Sequence, residues 1–383
     1  MSISAALQIV FWLSSAGVLF TFLGYPLLIR LLAELFPRGT GGEKSVEAPG
    51  VCAMVVAFNE ENRIVARVEN LLASGYDKLT VLVVSDGSTD STAVKIAALN
   101  HPRVQCLARE TRSGKAACLN AAVAAAAAEI IVFTDARQRF AADTIQKLTA
   151  HFSDPKVGAV SGALVIDPSK SSVGEGVDAY WKLEKIIRAA ESRFGSCIGC
   201  TGAVYAIRRG LFEPLPEDTI LDDVVIPMRI ALRNYRVLFD PGAVAFDPQP
   251  LEPAAEKIRK KRTLAGNFQM LFRHPGWLLP WRNRLWWQLI AHKYLRIVSP
   301  ALLVLAFASN ALLAARPGYL GLLELQCLFY FLALIGMSLP LLKSPVVSWP
   351  AGFVFLNAMT LRGFAYYLRK GGRRGEWESH RPI

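Results

Sequence analysis

Residues 129–140, EIIVFTDARQRF, decide the fold. Ile130, Ile131, Val132 and Phe133 are consecutive apolar residues, mostly β-branched, and read as a buried strand. Thr134 and Asp135 stand at its end. In open α/β sheets chemistry gathers at the carboxyl ends of parallel strands, which gives Asp135 the place of a working carboxylate. Upstream, LTVLVVSDGSTDST at 79–92 repeats the pattern and closes its strand on Asp86. A third strand–acid unit, TILDDVV at 219–225, presents Asp222 and Asp223. One acid after a strand is more often a cap or turn residue. Three such units, with Gly114 and Lys115 between Asp86 and Asp135, point to a site.

The 383 residues exceed one average domain. Hydrophobic residues make up 52% and charged residues 19%, with a mean hydropathy of +0.31. That balance is too apolar for an ordinary soluble enzyme and directs attention to membrane segments. The net charge of +12 concentrates in 257–296 and 362–374, beside long apolar runs. Lipid headgroups and an anionic substrate are the partners this predicts; no nucleic-acid motif is present. Cys197 and Cys200 have a metal or redox spacing, but no second pair or His cluster completes a zinc site. The cysteines read as small core residues in a reducing cytosol.

Residues 1–36 are predicted to form a retained N-terminal transmembrane helix, since the first charge is Arg30 and no basic n-region precedes the apolar run. Arg30, Arg38 and Lys44 then place the following domain in the cytoplasm by the positive-inside rule. Residues 37–50 form a Gly/Pro/charge linker. From 51 to 275 strands and helices alternate, which predicts a largely parallel, doubly wound α/β sheet. Residues 276–298 mix Trp277, Trp281, Trp286 and Trp287 with Arg282, Arg284, Lys293 and Arg296, the composition of an interfacial amphipathic helix. Residues 299–368 hold three further apolar stretches, read as C-terminal membrane helices, and 369–383 is a basic tail expected inside the cell.

The residue types suit nucleotide chemistry. Small and hydroxyl residues after Asp86 leave backbone N–H groups open, and its carboxylate can accept from a base N–H or a ribose hydroxyl. Arg112 and Lys115 bring two cations around Gly114, without the spacing of a Walker A loop. Asp135 can hold a divalent cation that neutralises a diphosphate. Asp222 and Asp223 are an adjacent acid pair suited to activating an alcohol. Arg259, Lys260, Lys261 and Arg262 can clamp phosphate charge or meet lipid.

Together these motifs resemble the membrane-embedded, inverting family 2 glycosyltransferases of GT-A fold, the group of cellulose, hyaluronan and poly-N-acetylglucosamine synthases. The resemblance covers about residues 51–275. VVAFNEE is similar to the family's opening strand with Asn59 and Glu60, VVSDGSTDST to its nucleotide-binding segment, and RSGKAACLN to its Gly-Lys element. FTDAR stands where the family has Asp-x-Asp, CIGCTGAVYAIRR where it has an acceptor-side strand, and ILDDVVIPMRI where it has Glu-Asp. The resemblance implies that Asn59, Glu60, Asp86, Lys115, Asp135, Arg259 and Arg262 bind a nucleotide-sugar, commonly a UDP-sugar. It implies Mg²⁺ or Mn²⁺ at Asp135, and Asp223 as catalytic base beside Asp222. Two departures stand out. Ala136 and Arg137 leave the metal motif one carboxylate short, so that Arg137 is expected to replace part of the charge. Thr263 takes the place of a Trp that would stack on an acceptor sugar. The expected activity is transfer to a glycan or lipid-linked acceptor at the cytoplasmic face of the cell membrane, with partner subunits or a homo-oligomer left open. The alternative is a non-catalytic membrane subunit of a polysaccharide-synthesis complex.

Overall fold

The computed structural model describes residues 2–39, 48–166, 172–247, 253–339, 341–342 and 344–369. Parts of the 37–50 linker and nearly all of the 369–383 tail lie outside the described residues. The chain divides into two compact units. One comprises 1–32, 168–187 and 257–371, the other 33–167, 188–256 and 372–383.

The second unit holds the sheet. Its strands are β1 (Val51–Ala57), β2 (Leu79–Asp86), β3 (Val104–Arg109), β4 (Ile130–Asp135), β5 (Arg139–Phe140), β6 (Val157–Ile166), β7 (Tyr205–Arg208) and β8 (Arg236–Asp247). Among the described residues they form one eight-stranded sheet in the order β3-β2-β1-β4-β7-β6-β8-β5. β1, β2, β3 and β4 run parallel, as expected from the alternation of strands and helices. The other half is mixed: β7 is antiparallel to β4 and β6, and β5 to β8, whereas β6 and β8 are parallel. All seven residues of β1 are buried, as a central strand covered on both faces requires. Helix Ile64–Leu72 packs Ile64, Val68 and Leu71 into the same core as Val51, Val55, Val81 and Val132. Burying each such side chain stabilises by about 1.5–3 kcal/mol.

Register fixes where the acids emerge. Asp135 pairs with Val56, and Ser85 pairs with Ala57, so β4 and β2 end level on either side of β1. The third acid pair departs from its strand reading: Asp222 and Asp223 are the first two residues of helix Asp222–Leu232. Acidic side chains complement the positive N-terminal end of a helix, and the apolar residues that follow, Val224 to Met228, Ile230 and Ala231, are buried nearly all round it. At the far edge Arg236 donates to the carbonyls of Gly39 at 2.8 Å and Gly195 at 2.9 Å, fixing the chain as it enters the unit.

The first unit is helical. Among the described residues, three helices are long and apolar enough to cross a bilayer: Ile3–Leu35, Trp286–Leu312 and Tyr319–Ser338. The chain is an integral membrane protein. The stretch read as an interfacial helix is divided here: a short turn at Pro275–Leu278 precedes the Trp286–Leu312 span, which contains a π-helical turn at Leu289–Tyr294. A second π-helical turn, Phe20–Gly24, interrupts the N-terminal span. Polar groups are paired across these helices. Glu184 accepts from Arg296 at 2.7 Å and lies 3.0 Å from His292 Nε2, and Ser299 donates to Asn357 at 2.6 Å. Gly176 and Gly352 let helices Ser172–Phe194 and Pro345–Arg369 cross so closely that a Cβ on Gly176 would lie 2.2 Å from the Ser348 carbonyl.

Candidate active site

Asp86 ends β2 and is fully buried. Its Oδ1 accepts from the Ser113 N–H at 2.7 Å and the Ser113 hydroxyl at 2.9 Å, and its Oδ2 from the Gly114 N–H at 2.9 Å. The carboxylate thus fixes the backbone that launches helix Lys115–Ala125. Gly114 caps that helix at a φ of 90°, a conformation only glycine adopts freely. Gly87 allows the same close approach from the other side: at φ 67°, a Cβ there would lie 2.5 Å from the Arg112 amide nitrogen.

Asn59 and its neighbours hold the following loop. Asn59 accepts from the Thr89 N–H at 2.8 Å, Glu60 N–H donates to the Thr92 hydroxyl at 2.9 Å, and Glu61 N–H donates to Asp90 at 3.1 Å. Glu60 itself is half-buried. Burial pushes its carboxyl above the usual range, against the opposing charges of Arg63 and Arg137. Arg112 lies 4.1 Å above the Phe58 ring.

Lys115 brings the acids together. Its Nζ is 3.2 Å from Asp135 Oδ1 and 3.4 Å from Asp222 Oδ2. Burial disfavours its charge, but Asp135, Asp222 and Asp223 outweigh that and raise its pKa above that of an ordinary lysine. Asp222 is buried at the helix start, whereas the Asp135 side chain is 36% exposed and open to a ligand. Asp223 is held through its backbone, whose carbonyl accepts from the Cys200 N–H at 2.8 Å. Gly202 faces its carboxylate, and a Cβ at that position would lie 3.0 Å from Oδ2.

Three residues join the site without a signal in the sequence. Arg67, 3% exposed, donates to Thr134 Oγ1 at 2.7 Å, one residue before Asp135 in the strand. Tyr205 stacks on Phe133 at 4.7 Å, and its buried hydroxyl has no partner among the described residues. Burial, with Asp222 and Asp223 nearby, pushes that phenol well above its usual range. Asp247, buried at the end of β8, is ion-paired with Arg137 and also accepts from Gln138 at 3.4 Å. Arg137, expected to replace part of the missing metal-motif charge, is thus already paired with a buried carboxylate.

The expected phosphate-binding residues Arg259 and Arg262 lie on helix Pro253–Arg273, in the helical unit, and the Arg259 side chain lies outside the described residues. The site above is built from the sheet unit alone. Cys197 and Cys200 are buried free thiols, as their reading as core residues expects. Among the described residues no three His, Cys, Asp or Glu side chains converge on a metal position. Asp135 alone, with phosphate oxygens and water completing the shell, still fits a small hard cation that arrives with a substrate.

Residues 52–215, which hold Asp86, Lys115 and Asp135 at the ends of the parallel strands and the helix between them, match the model of the family described as "Glycosyl transferase family 2". Residues 52–215 form a family 2 glycosyltransferase domain. The match ends before Asp222 and Asp223. The chain is 25% identical over 234 residues to a poly-beta-1,6-N-acetyl-D-glucosamine synthase of Staphylococcus aureus, covering 59% of this chain and 57% of that one. It is 27% identical over 234 residues to an N-acetylglucosaminyltransferase of Bradyrhizobium diazoefficiens, covering 55% and 48%. The chain thus spans about half the length of these curated relatives. Among solved structures, it is similar to the mannosyltransferase PcManGT of Pyrobaculum calidifontis in complex with GDP-Man and Mn²⁺, at 27% identity and a TM-score of 0.69. That likeness covers 94% of this chain and 99% of the other. The fold is GT-A with membrane helices on both sides.

Proposed function

We propose that the chain is an inverting glycosyltransferase that moves a sugar from a nucleotide-sugar to an acceptor hydroxyl at the cytoplasmic face of the membrane. The observation that carries this reading is the Lys115 ammonium between Asp135 and Asp222 at the carboxyl edge of the parallel strands, with Asp223 next in sequence. Asp86 shapes the turn that aims Lys115, and Asn59 and Glu60 order the loop beside it. Lys115 binds the donor diphosphate, and Asp222 sets the position of its ammonium. Asp135 with the donor's phosphate oxygens would hold Mg²⁺ or Mn²⁺, which neutralises charge on the leaving group when bound.

Asp223 acts as general base. It takes the proton of the acceptor hydroxyl, whose oxygen bonds to the anomeric carbon from the face opposite the diphosphate. The bond from that carbon to the phosphate oxygen breaks, and the nucleoside diphosphate departs with the electron pair, so the configuration inverts. Fixed charge around the leaving group supplies the largest share of the acceleration.

Purified protein in nanodiscs, given a panel of UDP- and GDP-sugars with Mn²⁺, tests this by nucleoside diphosphate release. Release with one donor, dependent on an added glycan or lipid-linked acceptor, is the expected result. Absence of both binding and release across the panel would favour a non-catalytic membrane subunit.

A further inference from the structure

The turn at 199–203 touches both halves of the proposed reaction centre. On one side Thr134, the residue before Asp135, donates its hydroxyl to the Ala203 carbonyl at 2.8 Å. On the other side the Cys200 N–H donates to the Asp223 carbonyl at 2.8 Å, and a Cβ on Gly202 would lie 3.0 Å from Asp223 Oδ2. Gly199 fits as closely, since a Cβ there would lie 3.3 Å from Val224 Cγ2. The end of β4 and the start of helix Asp222–Leu232 therefore meet the same five residues. The spacing of Asp135 from Asp223 follows the shape of that turn.

Side chains from two other elements hold the turn in shape. From β6, Ser161 Oγ accepts from the Thr201 N–H at 2.8 Å, and the Thr201 hydroxyl donates to the Gly162 carbonyl at 2.9 Å. A hydroxyl has one proton to give and two lone pairs to fill. Arg188 meets one of those lone pairs: its Nη1 donates to Thr201 Oγ1 at 2.7 Å, and its Nη2 to the Cys200 carbonyl at 3.4 Å. Arg188 lies on helix Ser172–Phe194, and the Cys197 thiol donates back to its carbonyl at 3.3 Å, so the chain after the helix folds over it. A planar guanidinium can span two acceptors on adjacent residues, whereas a lysine ammonium is a point charge on a flexible stem. The transfer steps above give Arg188 no part. We infer that Arg188 is a positioning residue for the proposed base: by clamping the 199–203 turn it fixes where the Asp223 carboxylate stands relative to Asp135, and so to a donor held there. This rests on the reading of Asp223 as base given above.

The test measures nucleoside diphosphate release and donor dissociation constants on the full chain in nanodiscs, with whichever UDP- or GDP-sugar supports release. It compares wild type with Arg188→Met, Gly202→Ala, their double variant and Asp223→Asn. Arg188→Met should keep the donor dissociation constant within about twofold and lower turnover per bound donor about tenfold or more, since a displaced reacting group costs rate. A merely structural role would lower the yield of folded protein and leave turnover per bound donor unchanged. Gly202→Ala displaces the same carboxylate, so the two losses should not multiply: the double variant should be about as slow as the slower single one. Wild-type turnover in Arg188→Met, a loss carried by donor affinity instead, or losses that multiply would each overturn the inference. Loss of turnover in Asp223→Asn would then leave the base reading standing. Wild-type turnover in Asp223→Asn would overturn both. If Arg188→Met does not fold, Arg188→Lys decides, because it keeps the charge without the fork: reduced turnover at unchanged donor affinity is expected, and wild-type turnover contradicts the clamp.

Discussion

Gly202 and Asp223 face each other across a gap tight for a methyl group: a Cβ on Gly202 would lie 3.0 Å from the carboxylate Oδ2 and 3.4 Å from its Cγ. Gly202→Ala should therefore displace the proposed base by a few tenths of an ångström while leaving the fold intact. Turnover is expected to fall about tenfold to a hundredfold, with the melting temperature little changed, since small displacements of reacting groups cost rate far more than stability. Unchanged turnover would show that Asp223 does not work from this position.

Arg137 and Asp247 predict a stability effect rather than a catalytic one. Asp247 is 3% exposed, and removing its guanidinium partner leaves a buried carboxylate without a counter-charge. Arg137→Met should destabilise the sheet unit by about 3 kcal/mol, read from chemical denaturation, because breaking one half of a buried pair costs about that much. A neutral result would mean that water reaches Asp247.

The Tyr205 hydroxyl tests the floor of the site. It is buried with no partner among the described residues, and leaving a buried polar group unsatisfied costs about 1–3 kcal/mol. Tyr205→Phe keeps the stacking on Phe133 and should raise stability by about 1 kcal/mol. A fall in stability instead would place a hydrogen-bond partner, such as water, at that hydroxyl.

Asp90 gives a pH dependence. Burial pushes its carboxyl up, but hydrogen bonds from the Thr92 side chain and N–H and from the Glu61 N–H outweigh it and hold the pKa below 3.8. A carboxyl depressed in the folded state binds fewer protons there than in the unfolded chain. Its stabilisation is complete above pH 3.8 and is lost as pH falls through the folded value. Acid titration followed by amide exchange in 86–92 should show the loop loosening only below that pH. Asp90→Asn should be loose at neutral pH as well.

What the sequence made legible follows from how local each signal is. Asp86 and Asp135 each end an apolar strand a few residues long, so the strand and its acid are read in one window. Lys115 was legible for the same reason, as the residue after a glycine that opens an alanine-rich helix. Asp222 and Asp223 were recognisable by residue type but not by context, because TILDDVV has strand-like composition and the helix becomes clear only from the residues beyond it. The mixed half of the sheet was equally hidden, since the direction of β7 depends on pairings with β4 and β6 distant in sequence. Arg67 carried no local signal at all, and Arg137, visible as a departure from the metal motif, gave no hint of its pairing with Asp247. Their partners, Thr134 and Asp247, lie 67 and 110 residues away, and a lone arginine near either end of a short helix or strand reads as a surface charge.

In the proposed mechanism Asp223 removes the acceptor's proton while Lys115 and Asp135 hold the donor. This division of roles is tested most directly by comparing donor affinity and turnover in Asp223→Asn with those of wild type, using whichever nucleotide-sugar supports release. Donor dissociation constants are expected to agree within about twofold while turnover falls by about 10²–10⁴, the usual contribution of a general base. Turnover within a few fold of wild type would contradict it, and would move the base to another group of the site.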